Sequence, residues 1–174
     1  MEIERERTFL LKYIPKDLKK CESVEMLDIY IPESAEHPVL RIRKRGDVSE
    51  ITKKQPLVGN DSSEQSEHTI SLTPEEYAEL ASLSGKRLHK RRYFYPVGEQ
   101  TAEVDIYLDD LAGLGVADFE FDSREAMDKL AMPDFCLIDV TQEEMIAGGI
   151  LAGKTYADLE KFLQGIGYEK ITSD

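Results

Sequence analysis

Glu2, Glu4 and Glu6 alternate with Ile3, Arg5 and Arg7 at the start of the chain. In an extended strand successive side chains point to opposite faces, so the three carboxylates share one face. The run Leu40-Arg41-Ile42-Arg43-Lys44-Arg45 places Arg41, Arg43 and Arg45 together by the same rule, and Thr52 falls with Lys54 and Lys90 with Arg92. Glu103-Val104-Asp105-Ile106-Tyr107 and Asp118-Phe119-Glu120-Phe121 carry acids on one face and mainly apolar residues on the other. Grouped carboxylates can hold a hard divalent cation through oxygen. Arginine grips phosphate in a bidentate fork, and lysine contacts it as a point charge. A sheet with one solvated face shows the same alternation, but sorting acids and bases onto separate strands is not needed for solubility. Six such strands, some acidic and some basic, point to charged faces lining a common cavity.

The elements that must position these residues follow from the same periodicity. Strands are predicted near 2–11, 23–31, 38–46, 49–55, 65–71, 87–96, 101–108, 116–122 and 136–141, with hairpin turns at Gly46-Asp47 and over 96–100. A short helix is expected near 15–20. Thr73-Pro74-Glu75-Glu76 is a capping box with proline at the first helical position, opening a helix to about Leu83. Ser123 is placed to cap a helix to about Leu130. Thr155 caps the last one, with Leu159, Phe162 and Leu163 as its buried stripe and Gly165 past its end. The stretch 59–66, rich in Gly, Asn, Asp and Ser, reads as a mobile loop. Strands in adjacent pairs make an antiparallel sheet, and eight or nine of them with one polar face fit a closed barrel with a filled polar lumen. Ile3, Phe9, Ile42, Val104, Ile106, Phe119 and Phe121 would then pack outward under the helices. The fold class is α+β, mainly β.

A length of 174 residues suits one domain, 1–174. No run of 18 apolar residues exists, so no membrane span is expected. The start lacks a basic segment followed by an apolar one, and Cys21 and Cys136 sit in no metal-type spacing, which reads as reduced thiols in a cytoplasmic protein. His37, His68 and His89 are too scattered for a zinc site. A net charge of −13 argues against general nucleic-acid binding. Against that acidity, the basic clusters over 41–54 and 86–92 mark a local anion site. No Ser, Cys or His triad is visible. The oligomeric state stays open, a homodimer included.

In this order the motifs resemble the CYTH family, the triphosphate tunnel metalloenzymes, almost end to end. Glu4-Arg5-Glu6-Arg7-Thr8 is similar to the family's E-x-E-x-K strand except at the lysine. Arg41-Ile42-Arg43 resembles its R-x-R strand, Thr52-Lys53-Lys54 its T-x-K strand, and Lys90-Arg91-Arg92-Tyr93 its K-x-R-Y element. Val104-Asp105-Ile106-Tyr107, Asp118-Phe119-Glu120 and Asp139-Val140-Thr141 resemble its later acidic elements. The resemblance implies a closed eight-stranded antiparallel tunnel that hydrolyses or cyclises a small anionic triphosphate with Mg2+ or Mn2+. It assigns Glu4, Glu6, Asp118 and Glu120 to the metal, with Asp105 and Asp139 as supporting or second-metal residues. Arg41, Arg43, Lys54, Lys90 and Arg92 would clamp the phosphates beside Thr8, with Glu4, Glu6, Lys54 and Arg92 carrying the catalysis.

The leading expectation is a metal-dependent hydrolase of inorganic tripolyphosphate. Adenylate cyclase, thiamine or nucleoside triphosphatase, and a non-catalytic polyphosphate- or nucleotide-binding module are the alternatives. The chain departs from the family pattern at four places. Thr8 replaces the lysine, and Gln65 replaces an acid whose neighbour Glu67 is kept. Met145-Ile146-Ala147-Gly148-Gly149 stands in place of a basic-Tyr pair, and Asp118 and Asp139 are shorter than the family's glutamates.

Overall fold

The computed structural model describes residues 2–172; the side chain of Glu2, first of the expected acidic row, lies outside the described residues. Nine strands carry the fold: β1 (Glu2–Leu11), β2 (Ser23–Ile31), β3 (Leu40–Arg45), β4 (Val48–Pro56), β5 (Glu64–Leu72), β6 (Lys86–Val97), β7 (Gln100–Tyr107), β8 (Gly115–Glu120) and β9 (Cys136–Asp139). They run β5-β4-β3-β2-β6-β7-β8-β1, and β1 returns to pair with β5, closing an eight-stranded antiparallel barrel. The closure works because β1 serves two neighbours along one edge. Glu2 to Arg5 pair with β5 from Glu67 back to Glu64. Farther along, Phe9 and Leu10 pair with Asp139 and Ile138 of β9. The other edge of β1 pairs with β8 from Glu6↔Glu120 to Leu10↔Val116.

The apolar half of each alternating strand builds the outer core. Phe9, Val104, Ala117, Phe119 and Phe121 pack with Leu11, Leu18, Met127 and Phe135 on the outside of the barrel. Phe9 and Phe119 meet edge to face with ring centroids 5.9 Å apart. Helix α2 (Arg124–Lys129) contributes Met127, and Ser123 caps it by accepting from the Ala126 N–H at 3.2 Å. Helix α1 (Pro74–Ala81) starts at the expected Thr73 capping box. Ile42 is fully buried, whereas Ile3 remains exposed.

The second core lies where the lumen was expected to be polar. Leu10, Tyr30, Leu88, Tyr107 and Val116 continue the same inward rows as Thr8, Asp28, Lys90, Asp105 and Asp118. They pack against Ile146, Leu151, Leu159 and Leu163. Those residues come from a 3-10 turn at Glu144–Ile146, α3 (Gly148–Leu151) and α4 (Tyr156–Gly165). The interior is therefore charged over part of its length and apolar at one end.

Other differences are local. The 15–20 stretch forms only a 3-10 turn, Leu18–Lys20. Gly165 is the last residue of α4, and Gly167, at φ 77°, takes the left-handed position beyond it. The 59–66 stretch is tied down at its end: β5 begins at Glu64, Ser63 is buried, its carbonyl accepts from the Glu6 N–H at 3.1 Å, and Ser62 N–H donates to Gln142 at 3.1 Å.

Candidate functional site

The inward rows enclose a cavity of about 860 Å³. One wall is acidic. Glu4 and Glu6 stand on β1, Asp118 and Glu120 on β8, and Glu103 on β7. The register places Glu6 opposite Glu120 and Thr8 opposite Asp118. Thr8 faces the cavity, and its hydroxyl donates to Asp118 Oδ1 at 2.7 Å. This crowding has an electrostatic signature. Burial, then Glu103 and Glu4, push Glu120 up to about 7 against the opposing pull of Arg92. Burial, Glu6 and Asp105 likewise raise Asp118.

The other wall is basic. Arg41, Arg43 and Arg45 come from β3, Lys54 from β4, and Lys90 and Arg92 from β6. Three of these cations, Arg43, Lys90 and Arg92, are held by buried acids. Arg43 forms a two-point contact with Asp28, Nε to Oδ1 at 2.6 Å and Nη2 to Oδ2 at 2.7 Å. Burial alone would raise the Asp28 carboxyl, but Arg43 outweighs it and lowers it to about 2. Asp105 is 0% exposed and accepts from Arg92 Nε and Nη2, each at 2.7 Å, and from the Lys90 ammonium. Arg92 also pairs with Glu103 and reaches Asp118 at 3.4 Å. Arg41 differs, because its Nε is buried with no hydrogen-bond acceptor. Lys54 leans across to the acidic wall, donating to Glu6 Oε1 at 2.8 Å and pairing with Glu4.

Glu4, Glu6, Thr8, Arg41, Arg43, Lys54, Lys90, Arg92, Asp118 and Glu120 thus meet in one cavity, with Asp105 beneath them. Asp139 does not join them. It lies on the other face of β1, where Arg7 donates to its Oδ2 from Nε at 3.0 Å and Nη2 at 2.7 Å, and Thr141 donates to Oδ1. It lines a separate outer groove with Asp61, Ser63 and Arg124. The reason is parity: Phe9 is the pairing partner of Asp139, and Phe9 points outward. Arg91 also faces outward and pairs with Glu25 at 2.8 Å. Glu103 and Arg45 lie on the charged rows read from the sequence but were assigned no role there, and Asp28 was not expected at the site. Asp28 had a readable cue, a single acid inside the apolar run Met26-Leu27-Asp28-Ile29-Tyr30.

The acidic wall offers oxygen donors only, which suits Mg2+ or Mn2+. Glu4 Oε2 is buried and lacks a hydrogen-bond donor in line with it, although the Lys54 ammonium lies close by. The donor chemistry fits a divalent cation. Among the described residues, however, no three His, Cys, Asp or Glu side chains converge into a cation cage.

Residues 2–130 match the family model of the CYTH domain. The chain belongs to the CYTH domain family. Among solved structures, this CYTH chain resembles the inorganic triphosphatase NE1496 at 23% identity, over 88% of this chain and 97% of that one, with a TM-score of 0.64. It resembles a candidate adenylate cyclase from Bacillus halodurans at 16% identity, over 99% and 94% of the two chains, with a TM-score of 0.55. PH1012 from Pyrococcus horikoshii OT3 matches at 17% identity, over 96% and 92%, with a TM-score of 0.52. At these identities the likeness carries the fold. No curated protein sequence matches the chain. Among the described residues no helix is long and apolar enough to cross a membrane.

Proposed function

We propose that this CYTH protein hydrolyses a small triphosphate, most simply inorganic tripolyphosphate, using Mg2+ or Mn2+. The observation that carries this reading is the division of one cavity into a carboxylate wall and a guanidinium/ammonium wall, with Arg41 Nε buried and without an acceptor. Glu4, Glu6, Asp118 and Glu120 would hold the metal. A bound divalent ion neutralises phosphate charge and lowers the pKa of water, so no side-chain nucleophile is required. Phosphoryl transfer depends chiefly on positioning and charge stabilisation. Arg41, Arg43, Lys54, Lys90 and Arg92 supply these by gripping the phosphate chain, with Thr8 orienting Asp118.

Of the two roles its sequence position suggested, supporting or second-metal, Asp105 takes the supporting one. Both of its oxygens are occupied by Arg92 and Lys90, so it positions those cations and does not ligate metal. Asp28 does the same for Arg43. Hydrolysis is favoured over cyclisation because Tyr30 and Tyr107, the aromatic residues of the inner rows that line the cavity, are only 7% and 4% exposed and offer a base little ring surface.

The test is incubation of the purified protein with Mg2+ or Mn2+ and tripolyphosphate, ATP or thiamine triphosphate, with free phosphate read against cyclic nucleotide. Phosphate release fastest from tripolyphosphate is expected. Cyclic nucleotide as the main product would establish the cyclase instead, and binding with no turnover under either metal would establish a non-catalytic module.

A further inference from the structure

Lys54 belongs to the basic wall by its backbone and to the acidic wall by its ammonium. Its strand, β4, lies beside β3, where Arg41 is the register partner of Thr52. Across the other edge of β4, Lys54 pairs with Glu67 of β5. Gln65, one inward position along β5, pairs with Glu4 of β1. The Lys54 side chain therefore passes over β5 to reach β1, two inter-strand steps of roughly 4.8 Å each. Its ammonium sits between two carboxylates, 2.8 Å from Glu6 Oε1 and against Glu4 Oε2, with 20% of the side chain exposed. Gln65 beneath it is neutral and also donates to Glu6 Oε1, at 3.2 Å. These two glutamates are the acids that the proposed function gives to the metal.

We infer that Lys54 is a built-in counter-cation of Glu4 and Glu6, which an arriving divalent ion displaces, and that the displaced ammonium withdraws to the basic wall and joins the phosphate grip. This rests on the metal-binding reading above and adds a regulation of that same site. The physical argument is one of exclusion. A divalent ion on Glu4 and Glu6 takes the oxygens that Lys54 now contacts, and it repels an ammonium at that distance. The Lys54 backbone is fixed beside β3, so withdrawal along its own stem carries the charge toward Arg41. Metal arrival then does two things at once: it satisfies the acids and adds a cation to the anion site. Because coupling between two ligands is reciprocal, the triphosphate must in turn tighten the metal through Lys54, beyond any direct metal–phosphate contact. The empty-handed protein binds each ligand weakly alone.

The experiment measures Mn2+ binding by calorimetry with no phosphate present, on wild type and on Lys54→Met, which keeps the length and removes the charge. Lys54→Met should bind Mn2+ at least tenfold tighter. A thermal melt confirms that the variant is folded. Mn2+ binding that depends on Glu4 and Glu6 but is unchanged or weaker in Lys54→Met overturns the inference and leaves the metal site standing. No Mn2+ binding by either form overturns both. If Lys54→Met does not fold, the wild type decides. With lysine ammonium groups labelled with nitrogen-15, the Lys54 resonance should be protected from exchange without metal and lose that protection on Mg2+ addition. Persistence of the protected signal at saturating Mg2+ overturns the inference.

Discussion

Arg91 and Arg92 are adjacent in sequence and sit in opposite electrostatic worlds, which makes them a stringent probe of strand register. Arg92 is 13% exposed and is bound to Asp105, itself 0% exposed, by two hydrogen bonds of 2.7 Å. Removing one member of a buried ion pair costs about 3–5 kcal/mol, because the remaining charge stays buried without compensation. In Arg92→Leu the Lys90 ammonium still contacts Asp105, so the lower end, about 3 kcal/mol, is the expectation. For a domain of this size each kcal/mol moves the melting temperature by roughly 2–4 °C, giving a fall of about 6–12 °C. Arg91 pairs with Glu25, and both side chains are 40% or more exposed. Such pairs contribute about 0–1 kcal/mol, so Arg91→Ala should move the melt by less than about 4 °C. Thermal unfolding followed by circular dichroism, without metal or phosphate, gives both numbers. Equal shifts, or a larger shift at Arg91, would show that β6 is turned over, since a one-residue slip exchanges every inward and outward side chain.

Three further outcomes are expected. Glu6→Gln should lower tripolyphosphate turnover by well over tenfold, because losing even about 1.4 kcal/mol of transition-state stabilisation is tenfold; unchanged kinetics at saturating Mg2+ would remove Glu6 from the site. Thr8→Lys places a cation beside Asp118, where the hydroxyl now donates at 2.7 Å, and should lower the half-saturation concentration for tripolyphosphate; a folded variant with unchanged affinity would refute the placement of Thr8. His89 lies between Asp109 at 2.6 Å and Glu25 at 2.9 Å; burial lowers its pKa, but the two carboxylates prevail and raise it above the ordinary 6.5. Its stabilisation is therefore full below about pH 6.5 and is lost as pH rises through the folded-state value, so His89→Gln should flatten that part of the melting temperature against pH, and parallel curves would contradict it.

The alternation made the charged part of the barrel legible. Arg41, Arg43, Lys90, Arg92, Asp118 and Glu120 face inward as their spacing requires, because one face of each strand is buried against the outer core. The same rule failed for Asp139, whose neighbour Val140 leaves the strand, so only register with Phe9 fixes its face. It also missed the apolar end. Ile29-Tyr30-Ile31 and Leu114-Gly115-Val116-Ala117 are continuous apolar runs, the mark of strands buried on both faces, and they sit where α3 and α4 cover the barrel. The glycines at 148 and 149 read as a departure without a shape. A Cβ on Gly148 would fall 2.2 Å from the Tyr30 hydroxyl, and one on Gly149 would fall 2.4 Å from the Pro38 carbonyl. They let that segment lie against the loop and the inner row, a close approach that no local pattern announces.

The barrel is a hoop with a clasp, and the clasp is the pairing of four residues at the start of β1 with β5. The pairings that flank it are longer: β4 and β5 are joined over eight positions and β1 and β8 over five. The clasp joins segments about sixty residues apart in the chain, so it closes only after the intervening hairpins exist. Glu4 stands in the clasp itself, and the Lys54 contact spans it. Breathing of this short seam would dismantle the carboxylate pair while the rest of the sheet stays intact. By the ligands proposed above, a cation there would tie β1 to β8 through Glu4, Glu6, Asp118 and Glu120 and would release the Lys54 bridge across the seam. The ion would then redistribute rigidity as well as serve as a reagent, quickening amide hydrogen exchange at residues 3–5 and 64–67 while slowing it where β1 meets β8.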